Sequence, residues 1–256
     1  MFSIVTATMH LELDEMDRVL AFYDGCHEAG LPFELVIQDN GSGDEVIETL
    51  RSRDYVKVVS EPDGGIYDAW NRALTRVSGD WVGFLGIDDL PTLDWVSFVS
   101  VFPPADKVSA LACDVSMEDE NHERIGVFKN PRSGSLDTKS NKFAHPGLAV
   151  ASCAFSGRWF PKEYRIIGDL VFYSQFKYLP VLGHLDAVGV SMELGGISNS
   201  PIGARRVLKE YMAAACKGDV PIHFPFVAKR IAAAVLSFVP KLYLRAQKRR
   251  WQYEGC

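Results

Sequence analysis

Two adjacent carboxylates, Asp88 and Asp89, close the segment Gly79-Asp80-Trp81-Val82-Gly83-Phe84-Leu85-Gly86-Ile87. The aromatic and aliphatic run from Trp81 to Leu85, bounded by turn residues, predicts a short buried strand. Carboxylates at the end of such a strand are costly to desolvate unless a cation lies beside them. A Mg²⁺ or Mn²⁺ ion carrying a nucleotide diphosphate would offset that cost, because these ions favour one or two carboxylates together with phosphate oxygens. The competing reading makes Asp88 and Asp89 loop residues that cap a helix starting near Pro91.

Two other polar segments follow apolar runs in the same way. Gln38-Asp39-Asn40-Gly41-Ser42-Gly43-Asp44 comes after residues 33–37. Gly41 and Gly43 suit tight turns and Asp44 can cap a helix. Asp39 is expected to face a crevice and accept from a uracil-type imide or a hydroxyl; the alternative is a turn aspartate bonded to its own backbone. Ser60-Glu61-Pro62-Asp63-Gly64-Gly65 is a turn, and the helix after it carries Asp68, Asn71 and Arg72 on a face opposite Ile66, Trp70 and Ala73. An Asp/Arg pair at that spacing is by itself a weak surface interaction.

The elements that must position these residues alternate. Residues 2–7, 33–37, 56–59 and 81–85 read as strands. Helical spacing links Met16, Val19, Leu20 and Tyr23, then Val46, Ile47 and Leu50, then Ile66, Ala69, Trp70, Ala73, Leu74 and Val77. This predicts an α/β fold with a mostly parallel central sheet covered by helices on both faces. The loops after Thr6, Ile37, Val59 and Leu85 then share the sheet edge where ligands bind. Past Pro103-Pro104, strands are expected at 110–115, 124–128 and 181–190. A short helix is expected from near Asp169, and a mobile loop from Asn130 to Asn141.

Bulk properties narrow the class. The 256 residues are 47% apolar and 23% charged, an ordinary globular composition. A net charge of −6 argues against nucleic acid as a partner. Five scattered cysteines without C-x-x-C spacing suggest neither a disulfide framework nor a zinc site. The chain passes from Met1 directly into a strand-like run, so a cytoplasmic location is expected.

Taken in order, Ser3 to Thr8, Gln38 to Ser42, Ser60 to Arg72 and Gly79 to Asp89 resemble family 2 of the GT-A-fold glycosyltransferases. The family shows a "VDDGSTD"-like turn, an "SEPDKGIYDAMNKG"-like segment and a strand ending in paired aspartates at this spacing. The resemblance implies a GT-A, Rossmann-like nucleotide-diphosphosugar fold with a nucleotide-sugar donor, a divalent metal (Mg or Mn) and an inverting transfer. It assigns Thr6, Ala7, Asp39, Asp68, Asn71 and Asp88 to the donor site and makes Asp89 the metal ligand. Two departures stand out. Gly86 replaces the first acid or amide of the metal signature, which weakens the expected metal dependence, and Gln38 leaves Asp39 the sole acid of its turn.

The second half matches more loosely. Phe143 to Leu148 is similar to an "HQAxF" segment, leaving His145 either a donor or acceptor contact or a core histidine. Tyr164 to Phe172 is similar to an "(F/Y)xIAADYDLWLR" segment, which makes Asp169 the base that deprotonates the acceptor hydroxyl; on residues alone it reads as a helix N-cap. Glu193 to Ser198 resembles a "GGVS" segment, and Arg205 or Arg206 is a pyrophosphate contact or a solvated helix face.

From Phe224 the chain turns basic and amphipathic. Its apolar run, 231–239, is about half the roughly 20 residues a spanning helix needs. The segment is expected either to lie on an anionic membrane surface or to pack on the catalytic domain. The expected organisation is a catalytic domain at 1–222, with a donor half at 1–103 and an acceptor half at 104–222, and a helical tail at 223–256. The acceptor implied is a glycan or lipid-linked saccharide in cell-surface polysaccharide synthesis. A sugar-phosphate nucleotidyltransferase and a non-catalytic nucleotide-sugar-binding protein are the rival readings.

Overall fold

The computed structural model describes residues 1–119, 121–138, 143–193, 200–239, 242–243 and 246. Strands β1 (Phe2–Met9), β2 (Phe33–Asn40), β3 (Val56–Ser60) and β4 (Trp81–Phe84) alternate with helices α1 (Leu13–Glu28), α2 (Asp44–Arg51) and α3 (Ile66–Leu74). β1 pairs in parallel with β2 and β4, and β2 with β3. All four strands therefore deliver their following loops to one edge. β1 is buried along nearly its whole length, as expected for a strand covered on both faces. Its alternation sends Phe2 and Ile4 to a core with Met16, Leu20 and Trp81, and Val5 to a second core with Val36, Trp70 and Phe84.

The chain then adds β5 (Leu90–Pro91), α4 (Leu93–Val101), β6 (Ala110–Glu118), β7 (Arg124–Phe128), β8 (Leu148–Ala151), α5 (Gly168–Ser174) and β9 (Val181–Glu193). The sheet runs β3-β2-β1-β4-β8-β6-β9-β5, with β7 on β6. Parallel pairing thus holds from β3 to β4. β8 enters antiparallel to both β4 and β6, and the second half is mixed.

Several local expectations change. Pro91 does not start a helix: it pairs with Val190 in β5, and Thr92 caps α4 by accepting from Trp95 N. Asp88 and Asp89 are therefore not its caps. Ile66 is 43% exposed at the start of α3, and Tyr67 takes its place in the buried face. Of the loop expected from Asn130 to Asn141, residues 130–138 are tied to the chain at 176–179, and 139–141 lie outside the described residues. Leu136 N donates to Leu179 O, and the Thr138 hydroxyl donates to Phe176 O. Asn130 ties the strand to the turn before β8, donating to Cys113 O and accepting from Ala144 N, each at 2.8 Å. Gly147 in that turn has no room for a Cβ, which would sit 2.6 Å from Asn130 Nδ2 and 2.7 Å from Cys113 O.

The C-terminal part forms α6 (Pro201–Lys217), capped by Ser200, and α7 (Phe224–Leu236). They pack through Tyr211 and Phe226, whose ring centres are 4.6 Å apart. No helix among the described residues is long and apolar enough to cross a membrane. Residues 194–198 of the "GGVS"-like segment and the basic residues Lys241, Arg245, Lys248, Arg249 and Arg250, with Trp251, lie outside the described residues.

Candidate active site

At the C-terminal edge of the parallel strands, Asp39 is 1% exposed rather than open to a crevice. One oxygen accepts from the hydroxyls of Thr8 and Ser42; the other accepts from Ser42 N at 3.0 Å and the Ser60 hydroxyl at 2.6 Å. Burial opposes its charge, but the bonds from Ser42, Ser60 and Thr8 outweigh it and hold the carboxyl below the usual range. Asp39 thus joins the ends of β1, β2 and β3. Thr6 is buried within β1, and Ala7 is partly exposed beside Gln38. Gln38 is fully buried, on the opposite face of its strand from Asp39.

The start of α3 is the most heavily tied part of that edge. Asp68 accepts from Gly64 N at 2.9 Å and pairs with Arg72 at 3.0 Å and Lys162 at 3.1 Å. The Gly64 amide, with Lys162 and Arg72, lowers its pKa against the opposing effect of burial. Arg72 continues to Glu61 at 2.8 Å. Asn71 spends both ends of its amide on the backbone of Phe160, donating to its carbonyl and accepting from its N–H, each at 2.8 Å. Arg165 donates to Gly64 O at 2.6 Å. The sequence reading placed Asp68 and Asn71 here but had no view of Lys162, Phe160 or Arg165, which come from about ninety to a hundred residues further on.

Tyr67 completes this seam. Its hydroxyl donates to Ile166 O at 2.7 Å and lies 3.1 Å from Asp169 Oδ1. Asp169 is therefore at the start of α3, on the edge reached by β3. Ile167, not Asp169, occupies the N-cap position of α5. Asp169 sits inside the first turn with a partly exposed side chain, so the capping role read from its sequence position does not apply.

His145 has buried ring nitrogens among Trp70, Phe84 and Tyr173, at ring-centre distances of 5.3, 5.5 and 5.4 Å. Burial lowers its pKa, opposed by the nearby Asp169 charge, which favours a neutral imidazole. Arg205 stacks over the Phe238 ring at 4.9 Å.

After β4, Asp88 is exposed and Asp89 partly buried, with Asp89 Oδ2 accepting from Gly86 N at 2.9 Å. Burial, reinforced by the Asp88 charge and opposed by the Gly86 amide, pushes the Asp89 carboxyl up to about 7. The departure at Gly86 has a steric reading. A Cβ there would lie 2.5 Å from Asp88 Oδ1 and 3.2 Å from Asp89 Oδ2, so glycine lets both carboxylates fold over one point. Among the described residues no cluster of three or more His, Cys, Asp or Glu is suited to a metal. Among the described residues no cation pairs with Asp88 or Asp89, and carboxylate oxygens are the hard donors that Mg²⁺ or Mn²⁺ favours beside phosphate.

The fold, a parallel α/β half continued by a mixed sheet, is shared with GT-A glycosyltransferases of known structure. Staphylococcus aureus TarS in complex with UDP-GlcNAc superposes with a TM-score of 0.59 at 16% identity, covering 92% of this chain and 72% of that one. A Pyrobaculum calidifontis mannosyltransferase in complex with GDP-Man and Mn²⁺ gives 0.56 at 17% identity, covering 98% and 83%. At these identities the likeness establishes the fold. The family follows from sequence: residues 14–150 match the model of glycosyl transferase family 2. Over 220 residues the chain is 31% identical to the PGL/p-HBAD biosynthesis glycosyltransferases of Mycobacterium bovis and Mycobacterium tuberculosis, covering 78% of this chain and 80% of theirs. The chain belongs to glycosyl transferase family 2.

The raised Asp89 pKa has a measurable consequence. The folded state holds this proton more tightly than the unfolded chain, whose aspartate titrates near 4, so the contribution of Asp89 to stability is full below about pH 4 and is lost as pH rises toward about 7. Asp89→Asn removes that dependence. In melts between about pH 5 and pH 8 without divalent cations, the variant should gain on the wild type as pH rises. Parallel curves would show that Asp89 is not destabilised by its surroundings.

Proposed function

We propose that this protein is an inverting glycosyltransferase that moves a sugar from a nucleotide-sugar, preferentially a UDP-sugar, to a hydroxyl of a glycan or lipid-linked saccharide. The observation that carries the reading is the 3.1 Å approach of Asp169 Oδ1 to the Tyr67 hydroxyl on the donor-half helix α3; among the described contacts no other carboxylate reaches that hydroxyl. The base is thereby docked against the donor half. Asp39, by joining Thr8, Ser42 and Ser60, would shape the loops that receive the nucleoside, with Ala7 and the backbone following Thr6 at the same edge. Asp68 would hold the Gly64 turn that borders the ribose end. Asn71 and His145 would act by holding Phe160 and the aromatic floor.

In the transfer, Asp169 takes the proton of the acceptor hydroxyl while that oxygen bonds to the anomeric carbon. The bond from that carbon to the diphosphate breaks on the opposite face, and inversion follows. Asp89, with Asp88 beside it, would hold a Mg²⁺ or Mn²⁺ ion. That ion, when bound, supplies positive charge to the departing diphosphate. GDP-Man with Mn²⁺ in the archaeal mannosyltransferase and UDP-GlcNAc in TarS support a nucleotide-sugar donor.

Peripheral attachment on the cytoplasmic side of a membrane, within cell-surface polysaccharide synthesis, fits the C-terminal helix. Phe224, Ile231, Val235 and Phe238 are 79, 48, 64 and 71% exposed and recur at helical spacing, with Ala228 completing the stripe. Residues 220–253 carry seven basic residues (Lys229, Arg230, Lys241, Arg245, Lys248, Arg249 and Arg250) and no acid, although the chain as a whole is acidic. Such a segment favours an anionic leaflet.

Two tests follow. Asp169→Asn keeps the side-chain shape but cannot take a proton. It should leave the thermal shift produced by UDP with Mn²⁺ unchanged while lowering turnover by about 10²-fold or more. Retained turnover would remove Asp169 from the mechanism. For the tail, the wild type should sediment with phosphatidylserine-containing vesicles at low salt and be released as salt rises. A protein that stays in the supernatant at low salt has a packing helix there, not a membrane contact.

A further inference from the structure

Helix α5 starts without a cap of its own. Its N-cap is Ile167, which has no side-chain acceptor, and the amides leading into the helix need partners from elsewhere. They find one carboxylate. Glu210, in the middle of α6, accepts from Arg165 N at 3.1 Å through both oxygens. Its Oε2 also accepts from Ile166 N at 3.0 Å and from Ile167 N at 3.3 Å. Three successive amides converging on an anion form a backbone nest, filled here by a side chain 43 to 45 positions away in sequence.

The same three residues are gripped from the opposite side. Ile166 O takes the Tyr67 hydroxyl, the Arg165 side chain reaches Gly64 O, and Ile167 is buried in a small core with Val171, Val207 and Tyr211. Asp169 follows two residues later. Its direction is therefore set by where the 165–167 backbone lies between α3 and α6. α6 is a 17-residue helix with its own Ser200 cap and its own apolar contacts, and it has no evident need of Glu210 to fold. Nor does α6 fall within the span that matches the family model, 14–150.

We propose that Glu210 is a positioning residue for the catalytic base: its carboxylate fixes the 165–167 backbone and thereby aims Asp169 at the acceptor hydroxyl. This rests on the reading of Asp169 as the base. The role is distinct from donor binding, because among the described residues the hydrogen bonds of Glu210 go to the backbone ahead of α5. Losing the nest should displace the base without changing affinity for the nucleotide. Misplacement of a reacting group by about 1 Å commonly costs about 10²-fold in rate.

The test compares wild type, Glu210→Ala, Glu210→Gln, Asp169→Asn and the surface control Lys209→Gln. The probes are UDP-glucose, UDP-GlcNAc and GDP-mannose, with nucleotide release as the readout, and amide hydrogen exchange is followed over residues 160–175. Glu210→Ala should lower kcat by about 10-fold or more while the donor KM stays within about two-fold. Glu210→Gln, which keeps one acceptor oxygen, should fall between it and wild type. Exchange at Arg165, Ile166 and Ile167 should quicken in both, and Lys209→Gln should match wild type. If Asp169→Asn is inactive but Glu210→Ala keeps wild-type kcat, or raises KM alone, the positioning role is wrong while the base reading stands. If Asp169→Asn turns over normally, the base reading fails and this proposal fails with it.

Discussion

The tie between α3 and the chain that leads into α5 is the constraint on which the rest of the site depends. Five interactions make it: both amide bonds between Asn71 and Phe160, Tyr67 to Ile166, Arg165 to Gly64, and Lys162 to Asp68. Four are hydrogen bonds to backbone groups, so they fix chain position rather than side-chain preference. Net hydrogen-bond contributions of about 1 kcal/mol each are modest, but a buried group left unpaired costs more than a bond gains. Among the described residues both ends of the Asn71 amide bond the backbone of Phe160. The seam carries Asp169 to the parallel-strand edge, although the sheet becomes mixed beyond β4.

Charge is divided across this edge in two ways. Asp39 and Asp68 are buried but richly bonded, and their pKa values are lowered. They act as rivets between loops, already satisfied by hydroxyls, amides and cations of the chain itself. Asp89 is the opposite case, with one amide bond, a like charge beside it and a pKa raised to about 7. A group so placed gains most from an added cation, and Gly86 leaves the space in which its carboxylate and that of Asp88 meet. The contrast between satisfied and unsatisfied carboxylates separates scaffold from candidate ligand more sharply than position along the chain does.

The first hundred residues were legible because each strand and helix has a clear period and each loop a clear turn. What escaped the sequence were partners far apart along the chain. Asp39 reads as a crevice residue because nothing local shows that Thr8 and Ser60 will close over it. Asn71 reads as part of a polar helix face because Phe160 lies 89 positions away. Leu148–Ala151 is too short for its apolar run to separate strand from helix, and β8, which turns the sheet antiparallel, went unread. Pro91 looked like a helix start because proline favours that position, but Thr92 supplied the cap. For Asp169 the local cap signal misleads, since Ile167 holds the cap position and the amides ahead of α5 are taken by Glu210.

The central claim is that the α3 seam sets a proton acceptor opposite a metal-bound diphosphate. A crystal structure of the protein with UDP and Mn²⁺, using manganese anomalous scattering, tests it most directly. The account predicts an anomalous peak within about 2.0–2.3 Å of an Asp89 oxygen and of diphosphate oxygens. It also predicts the Asp169 carboxylate facing the β-phosphate across a gap wide enough for a sugar ring, with the Tyr67 bond intact. Manganese bound away from Asp89, or Asp169 turned away from the diphosphate, would contradict it.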